Sequence, residues 1–359
     1  MPSFSAVVQV NKKLRRSTAA DDDDEAGSTD PESKVDISTP DSNVEPEDTN
    51  KAESDTAVGL NSNDITAESN VASVLAELKV LPADGSEPLA RNFVGANPSM
   101  LVDYLFPEAT VSTKTTLLLL MIALTLYDDL MEGRPVEEMG VAHIVTALNE
   151  DDVASSVSSG ELGPFIALFA RVRKSLKDQL GYPSVLYDEI TDLATQAVRS
   201  TELETRLLEE MRAKGGTHPT MSRYLEWRMH SVGGALIPYM VQFSPEARLP
   251  DADRARPEFQ QIVDLVTKMV MYTNDLYSYR AGRDVGKLNW IYARQREAPE
   301  LDAEQIEREL AELCVATERE LGERLKRSDT SFARSLIECL KGIRNYHRSA
   351  QRYKLEHGK

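Results

Sequence analysis

The chain has 359 residues, of which 41% are apolar, and a formal net charge of −18. This length allows one large domain or two smaller ones with a sizeable core. The acidic balance argues against nucleic acid as a partner, because the phosphate backbone would be repelled. Cys314 and Cys339 are the only cysteines, so a disulfide framework is excluded and a reducing compartment, the cytoplasm, is expected.

Most of the negative charge lies in the first part of the chain. Residues 1–80 hold 17 acidic and 7 basic residues, a net charge of −10, which leaves −8 for the other 279 residues. This part is rich in Asp, Glu, Ser, Thr and Pro and nearly free of aromatic residues, so it buries too little apolar surface to offset its ordering entropy. We therefore predict a disordered acidic tail over 1–75 and a folded domain over 80–359.

In the first residues an apolar stretch precedes a basic cluster, which is the reverse of the order in a secretory signal. The longest apolar run, at 117–127, has the length of a core helix. No transmembrane segment is expected.

Beyond residue 80, apolar residues recur at a spacing of about 3.6 and are interrupted by Gly, Pro or polar turns, which predicts an all-α fold. No convincing alternating strand pattern is present. The predicted helices span 112–132, 136–148, 163–180, 184–213, 219–243, 257–282, 302–327 and 330–356. The first and sixth of these are apolar on more than one face, so they should lie inside a bundle.

Acidic residues end the first of these two buried helices. The stretch "YDDLMEG" contains Asp128, Asp129 and Glu132. At about 100° per residue, Asp128 and Glu132 lie about 40° apart, so both carboxylates can point at one metal ion. Because acidic residues are common in this chain, an ordinary solvated helix end is the alternative.

Polar residues also end the second buried helix, in the stretch "MVMYTNDLYSYR". Asn274 and Ser278 are four residues apart and share a face of this helix. An amide oxygen and a hydroxyl suit a hard cation such as Mg²⁺, which prefers oxygen ligands. Local hydrogen bonds within the helix are the alternative.

These two motifs, in this order and about 145 residues apart, resemble the metal-binding motifs of class I terpene cyclases, most closely the fungal trichodiene synthase-like family. The resemblance covers about residues 85–356. It implies a helical bundle around a central cavity, with Mg²⁺ held by Asp128, Asp129, Glu132, Asn274 and Ser278.

Three further residues match this family. Arg228, 46 residues before Asn274, corresponds to its diphosphate-sensing arginine, on a helix that breaks at small residues. Arg352 and Tyr353 match its terminal Arg-Tyr pair, and the resemblance assigns these three both catalytic and substrate-binding roles. Tyr346, where some members have Trp, is a further candidate for substrate binding. For each arginine a plain surface position is the alternative.

The second motif departs from the family pattern at its third ligand. The family places a glutamate four residues after the serine, where this chain has Gly282. Asp284 lies about 200° further round a continuing helix and is able to replace it only if the helix unwinds at Gly282. Otherwise water fills that place, and Arg280 or Arg283 takes over the basic contact that usually precedes the glutamate.

The function expected from these residues is Mg²⁺-dependent cyclisation of a linear prenyl diphosphate, with farnesyl diphosphate as the expected substrate. Tyr346 and Tyr127 are candidates for the apolar wall of the pocket, where an aromatic face stabilises a cation. Two alternatives stay open: a chain-elongating prenyl transferase, and a catalytically impaired homologue that binds prenyl diphosphate. A homodimer is also left open.

Overall fold

The computed structural model describes six segments of the chain, in which all regular structure is helical. These segments are residues 66–78, 80, 97–131, 134–151, 161–282 and 287–350. They contain thirteen α-helices and no β-strand, which confirms the predicted all-α class. In chain order the helices are α1 Ala67–Leu78, α2 Pro98–Leu105, α3 Val111–Met131, α4 Val141–Asn149, α5 Gly163–Leu180, α6 Val185–Ala213, α7 Met221–Ser231, α8 Ile237–Met240, α9 Asp251–Arg254, α10 Pro257–Arg280, α11 Trp290–Glu297, α12 Ala303–Lys326 and α13 Ser331–Ser349.

Several helices begin at a residue whose side chain accepts a hydrogen bond from the first turn. Thr220 caps α7 in this way, Asn289 caps α11, and Thr330 caps α13. At the start of α12, Asp302 and Gln305 form a reciprocal capping box. These caps satisfy backbone N–H groups that have no partner within the helix, so the local sequence determines where the helices start.

The apolar run of α3 lies at the centre of the bundle. Residues 117–120 are all leucine and all buried. At 21 residues, α3 is longer than the predicted apolar run, and by length and composition it is able to cross a membrane. However, 56% of its most apolar window is buried inside the bundle, as in the core helix of a globular fold.

Helix α1 places the start of the folded part earlier than the sequence predicts. Val71, Val74 and Leu75 are buried in the main core, where α1 packs on α3 and α5. The predicted tail boundary at residue 75 therefore falls inside a packed helix, because three apolar residues at helical spacing bury one face of it. The rest of the predicted tail, up to residue 65, lies outside the described residues.

Two predicted helices are interrupted. The predicted helix 136–148 begins with a 3₁₀ turn, and α4 starts only after Gly140. The predicted helix 219–243 breaks after α7 into short turns, where Gly234 packs so closely on α10 that a Cβ would lie 2.8 Å from the Cα of Thr267. Only glycine fits this close approach, so the break fixes the end of α7 against α10.

The apolar side chains form one large cluster and a smaller second one. Helix α10 passes through both, with Val270 in the large cluster and Met271 in the second. The second cluster is formed by residues of α6, α7, α10, α11 and α12, and it includes Trp227 and Trp290. Both predicted metal-binding motifs follow buried apolar segments, one on α3 and one on α10.

Candidate active site

The first predicted motif lies at the end of α3. Asp128 is exposed and Asp129 is half-buried, directly after the buried Leu126 and Tyr127. The run of buried residues therefore delivers two carboxylates to the end of the helix. Glu132 lies outside the described residues.

Tyr127, a sequence candidate for the pocket wall, is held by contacts of its own. Its hydroxyl donates a hydrogen bond to the Met139 carbonyl at 2.9 Å, and its ring packs edge-on against Phe169. Burial raises the pKa of this hydroxyl to about 12. These contacts account for Tyr127 as a packing residue between α3, α5 and the turn before α4.

The second predicted motif lies in the last two turns of α10. Asn274 is half-buried, and Asp275 and Ser278 are buried. Asn274 and Ser278 are on one face, as the sequence predicts. Amide, carboxylate and hydroxyl groups therefore do lie on the inner side of this helix.

Arg228, in the last turn of α7, donates hydrogen bonds to Asn274 and to Asp275. Its Nη2 lies 2.7 Å from Asn274 Oδ1 and 2.7 Å from Asp275 Oδ1, and its Nε lies 3.1 Å from the same Asp275 oxygen. Its Nη1 donates to Ser231 Oγ at 3.3 Å. The structure thus brings the predicted diphosphate-sensing arginine into contact with a predicted metal ligand.

The charge of this arginine is secured by its surroundings. Burial alone would lower the pKa of Arg228, but the nearby charge of Asp275, followed by Tyr224, raises it well above its usual range. Glu204, on α6, acts in the same direction. The guanidinium is therefore a permanent positive charge, and its side chain remains 15% exposed.

Asp275 is the functional-site residue to which sequence reasoning assigned no role. Its side chain is about 2% exposed, and Oδ2 accepts hydrogen bonds from the Tyr224 hydroxyl and from the Trp290 backbone N–H, the latter at 3.4 Å. Its backbone carbonyl accepts from Asn289 Nδ2 at 3.0 Å. The signal was present, because a carboxylate inside a buried apolar run requires a charged partner.

The third ligand position of the second motif lies beyond the end of α10. The helix ends at Arg280, and Gly282 has φ +66, with its N–H bonded to the Tyr279 carbonyl at 2.9 Å. The helix predicted over 257–282 is therefore two residues too long, because Gly282 adopts a left-handed conformation that ends it. The helix does end before Gly282, which is what a ligand role for Asp284 requires. Asp284 and Arg283 lie outside the described residues.

Arg280 is held away from the role that the sequence suggested for it. Its Nε lies 2.7 Å from Glu307 Oε1 on α12, and half of its side chain is exposed. The ion pair joins α10 to α12 on the outside of the bundle. This ion pair explains the position of Arg280 without any contact to a bound ligand.

Tyr346 lies in a small aromatic cluster near the end of the described chain. It is buried beside Tyr277 of α10 and Tyr104 of α2. Its ring also packs edge-on against His347. The adjacent predicted pair, Arg352 and Tyr353, lies outside the described residues.

Oxygen donors dominate the described parts of both motifs. Carboxylates come from Asp128 and Asp129, and an amide and a hydroxyl come from Asn274 and Ser278. Among the residues described, no three His, Cys, Asp or Glu side chains gather into a ready-made metal site. This donor set fits a hard divalent cation that takes few protein ligands and completes its shell with water and substrate oxygens.

The chain matches a known protein family across the candidate active site. Residues 120–320, more than half of the chain, match the family described as terpene synthase family 2, C-terminal metal binding. This range begins within α3 and ends within α12, so it contains both motifs and Arg228. A divalent metal is thereby implied. No match was found among curated proteins.

Solved structures show the same fold at low identity. Linalool/nerolidol synthase from Streptomyces clavuligerus, in complex with 2-fluorogeranyl diphosphate, is 12% identical with a TM-score of 0.65, covering 79% of this chain and 97% of its own. For 2-methylisoborneol synthase from Streptomyces coelicolor A3(2), in complex with Mg²⁺ and 2-fluoroneryl diphosphate, the values are 18%, 0.64, 82% and 95%. For germacradien-4-ol synthase from Streptomyces citricolor they are 16%, 0.60, 80% and 92%.

The fold and the family match agree with each other. The structural matches extend over about four fifths of the chain and confirm the predicted class I terpenoid synthase fold. The family match confirms the predicted terpene synthase. The chain belongs to terpene synthase family 2.

Proposed function

We propose that the protein is a Mg²⁺-dependent sesquiterpene cyclase, of the trichodiene synthase-like type, that acts on farnesyl diphosphate. The observation that carries the proposal is the contact of Arg228 with Asn274 and Asp275. It joins an anion-binding group to a neutral oxygen donor suited to a cation, which is the pairing that a metal-bound diphosphate requires.

The proposed metal ligands are Asp128, Asp129 and Glu132 on one side, and Asn274 and Ser278 on the other. When bound, Mg²⁺ supplies charge that stabilises the departing diphosphate. The protein's own contribution is to present oxygen donors from the ends of α3 and α10, both of which emerge from buried apolar segments.

Arg228 is proposed to bind the diphosphate through its permanent positive charge and through the N–H of Nη1 that bonds none of the described residues. Arg352 and Tyr353 are proposed to add further donors from the end of the chain. The carbon–oxygen bond of the substrate breaks, and diphosphate leaves with the bonding electrons. The allyl cation that remains closes a ring by attack of one of its own double bonds, and proton loss gives the product.

The cation requires a pocket without nucleophiles. Apolar and aromatic walls exclude water and offer the faces of their rings to the positive charge. Tyr346 is proposed for this role, because it is buried beside Tyr277, one residue before Ser278 on α10. Tyr127 is better explained by its bond to Met139.

Prenyl chain elongation is the second candidate within the same fold. Such enzymes usually carry two Asp-rich motifs, whereas the second motif here contains Asn274 and Ser278, which favours cyclisation. The third candidate, an impaired homologue that only binds prenyl diphosphate, is favoured by the absence of a helical glutamate at 282. The two structural matches with bound diphosphate analogues carry geranyl-type and neryl-type chains, so chain length has to be tested directly.

The test is incubation of the purified full-length protein with geranyl, farnesyl or geranylgeranyl diphosphate and MgCl₂, followed by mass spectrometry of volatile and extracted products. A cyclic product from farnesyl diphosphate supports the proposal. Longer prenyl diphosphates indicate elongation. Diphosphate binding without turnover indicates the impaired homologue.

Two arginine variants test the proposed diphosphate contacts. Arg352→Lys is expected to lose most activity, because a lysine ammonium cannot reproduce the two-pronged contact of a guanidinium. Arg228→Lys is expected to lose most activity as well, because an ammonium cannot replace the hydrogen bonds that hold Arg228 beside Asn274 and Asp275. Near-normal turnover in both variants at low Mg²⁺ would contradict these roles.

A further inference from the structure

The carboxylate of Asp275 accepts four hydrogen bonds from the residues around it. Oδ1 accepts from Arg228 Nε and Nη2, and Oδ2 accepts from the Tyr224 hydroxyl and the Trp290 N–H. With its side chain about 2% exposed, Asp275 is out of reach of solvent and has Arg228 as its direct ionic partner. Such a fully satisfied group rigidifies the elements that it joins.

These contacts join three helices at one point. Tyr224 and Arg228 belong to α7, Asp275 belongs to α10, and Trp290 begins α11. The carboxylate therefore lies at the positive end of α11, where a negative charge is stabilised. Asn289, which caps α11, also donates to the Asp275 carbonyl.

The position of Arg228 depends on this anchor. Of its five N–H groups, Nε and one of Nη2 bond Asp275, the other of Nη2 bonds Asn274, and one of Nη1 bonds Ser231. Arginine has many rotamers, so fixing one of them when the anion binds costs conformational entropy unless the protein has already fixed it. In the two hydrogen bonds to Asp275, the donor and the acceptor carry opposite charges.

We propose that Asp275 is a positioning residue for diphosphate recognition: it fixes the guanidinium of Arg228 beside Asn274 before the anion arrives. Asp275 itself is buried behind the arginine and acts through it. The inference rests on the proposed function, because it takes diphosphate as the ligand of Arg228. It adds a residue that the family-like motif pattern did not assign to any role.

The variants form a double-mutant cycle: Asp275→Asn, Arg228→Met and the two combined. Asparagine keeps the shape of aspartate and removes its charge. If Asp275 acts only through Arg228, its substitution has no further effect on anion binding once the arginine is gone. The matched control is Glu189→Gln, at a second buried arginine, Arg254, whose Nε lies 2.6 Å from Glu189 Oε2.

Binding is measured by calorimetric titration of each full-length protein with inorganic diphosphate in the presence of MgCl₂. We expect about tenfold weaker binding in Asp275→Asn, from the released rotamers of Arg228. We expect the double variant to bind no more weakly than Arg228→Met. Glu189→Gln should lower the melting temperature and leave the affinity for diphosphate unchanged.

Melting temperatures without ligand provide a readout that does not depend on catalysis. Arg228→Met leaves a buried carboxylate without its charge partner and should lower the melting temperature by roughly 10 °C. Adding Asp275→Asn removes that charge, so the double variant should melt above Arg228→Met. Additive losses would overturn the dependence of one residue on the other.

The outcomes separate this inference from the proposed function. Unchanged or tighter diphosphate binding in Asp275→Asn overturns the positioning role alone, since tighter binding would mean that Asp275 mainly opposes the anion. Absence of diphosphate binding by the unaltered protein overturns the proposed function, and the inference with it. Equal weakening by Asp275→Asn and Glu189→Gln indicates a general effect of stability and also overturns the inference.

Discussion

Replacing Gly282 by alanine tests how α10 ends. At φ +66, a residue with a Cβ pays about 1–2 kcal/mol in conformational energy. A Cβ at this position meets no atom within 4 Å, so no steric clash adds to the cost. The reduced freedom of the unfolded chain returns about 0.5–1 kcal/mol. The expected net loss in the free energy of unfolding is therefore about 1 kcal/mol.

The measurement is denaturant-induced unfolding of Gly282→Ala beside a matched control, Gly322→Ala. Gly322 lies inside α12, and a Cβ there also meets no atom within 4 Å. The control should therefore gain about 1 kcal/mol, because alanine is the better helix former. Equal effects of the two substitutions, or a gain in Gly282→Ala, would refute the left-handed ending.

The same position tests the third metal ligand. A helix continuing through residue 282 would place a glutamate there on the side of Ser278, whereas the observed ending places it beyond the last turn. We expect Gly282→Glu to show the same dependence of activity on Mg²⁺ as Gly282→Ala. A tighter dependence in Gly282→Glu alone would show that the introduced carboxylate reaches the metal.

Three further predictions follow from the site and the core. Asn274→Ala and Asp128→Ala should each lose most activity at unchanged far-ultraviolet circular dichroism, and near-normal rates at low Mg²⁺ would remove either residue from the proposed ligands. A chain that starts at residue 66 should melt like the full-length protein, whereas one that starts at 80 lacks α1 and should melt lower; equal melting temperatures would show that α1 adds no stability. Tyr127→Phe should lower the free energy of unfolding by about 1–2 kcal/mol, because the buried Met139 carbonyl loses its donor, and the variant should keep its activity. A loss of turnover at unchanged stability would instead indicate that Tyr127 lines the pocket.

The long helices are predictable from the sequence because their apolar spacing is long and regular. The predicted spans for α5 and α6 agree with the structure to within one residue. The short helices α2 and α11 were missed, since eight residues give too little periodicity to distinguish a helix from a turn. Helix α1 was missed because its composition resembles that of the acidic tail before it.

The polar face of α10 was also predictable, but the contacts it makes were not. Asn274 and Ser278 stand out within an apolar run, and their spacing alone places them on one face. The partner of Asp275 is 47 residues away on another helix, and no local pattern specifies that distance. Gly282 signals an interruption in the sequence, but its conformation depends on how the chain leaves α10.

The pairing of Arg228 with Asp275 gives a physical reason for an amide at position 274. The single guanidinium already balances one buried carboxylate, and an aspartate at 274 would place a second negative charge within reach of the same Nη2. An asparagine accepts the hydrogen bond from Arg228 through a neutral oxygen, so the ion pair stays balanced. The first motif lies at a more exposed helix end, with Asp128 exposed and Asp129 half-buried, where water screens charge more effectively. The chemical difference between the two motifs therefore corresponds to a difference in burial.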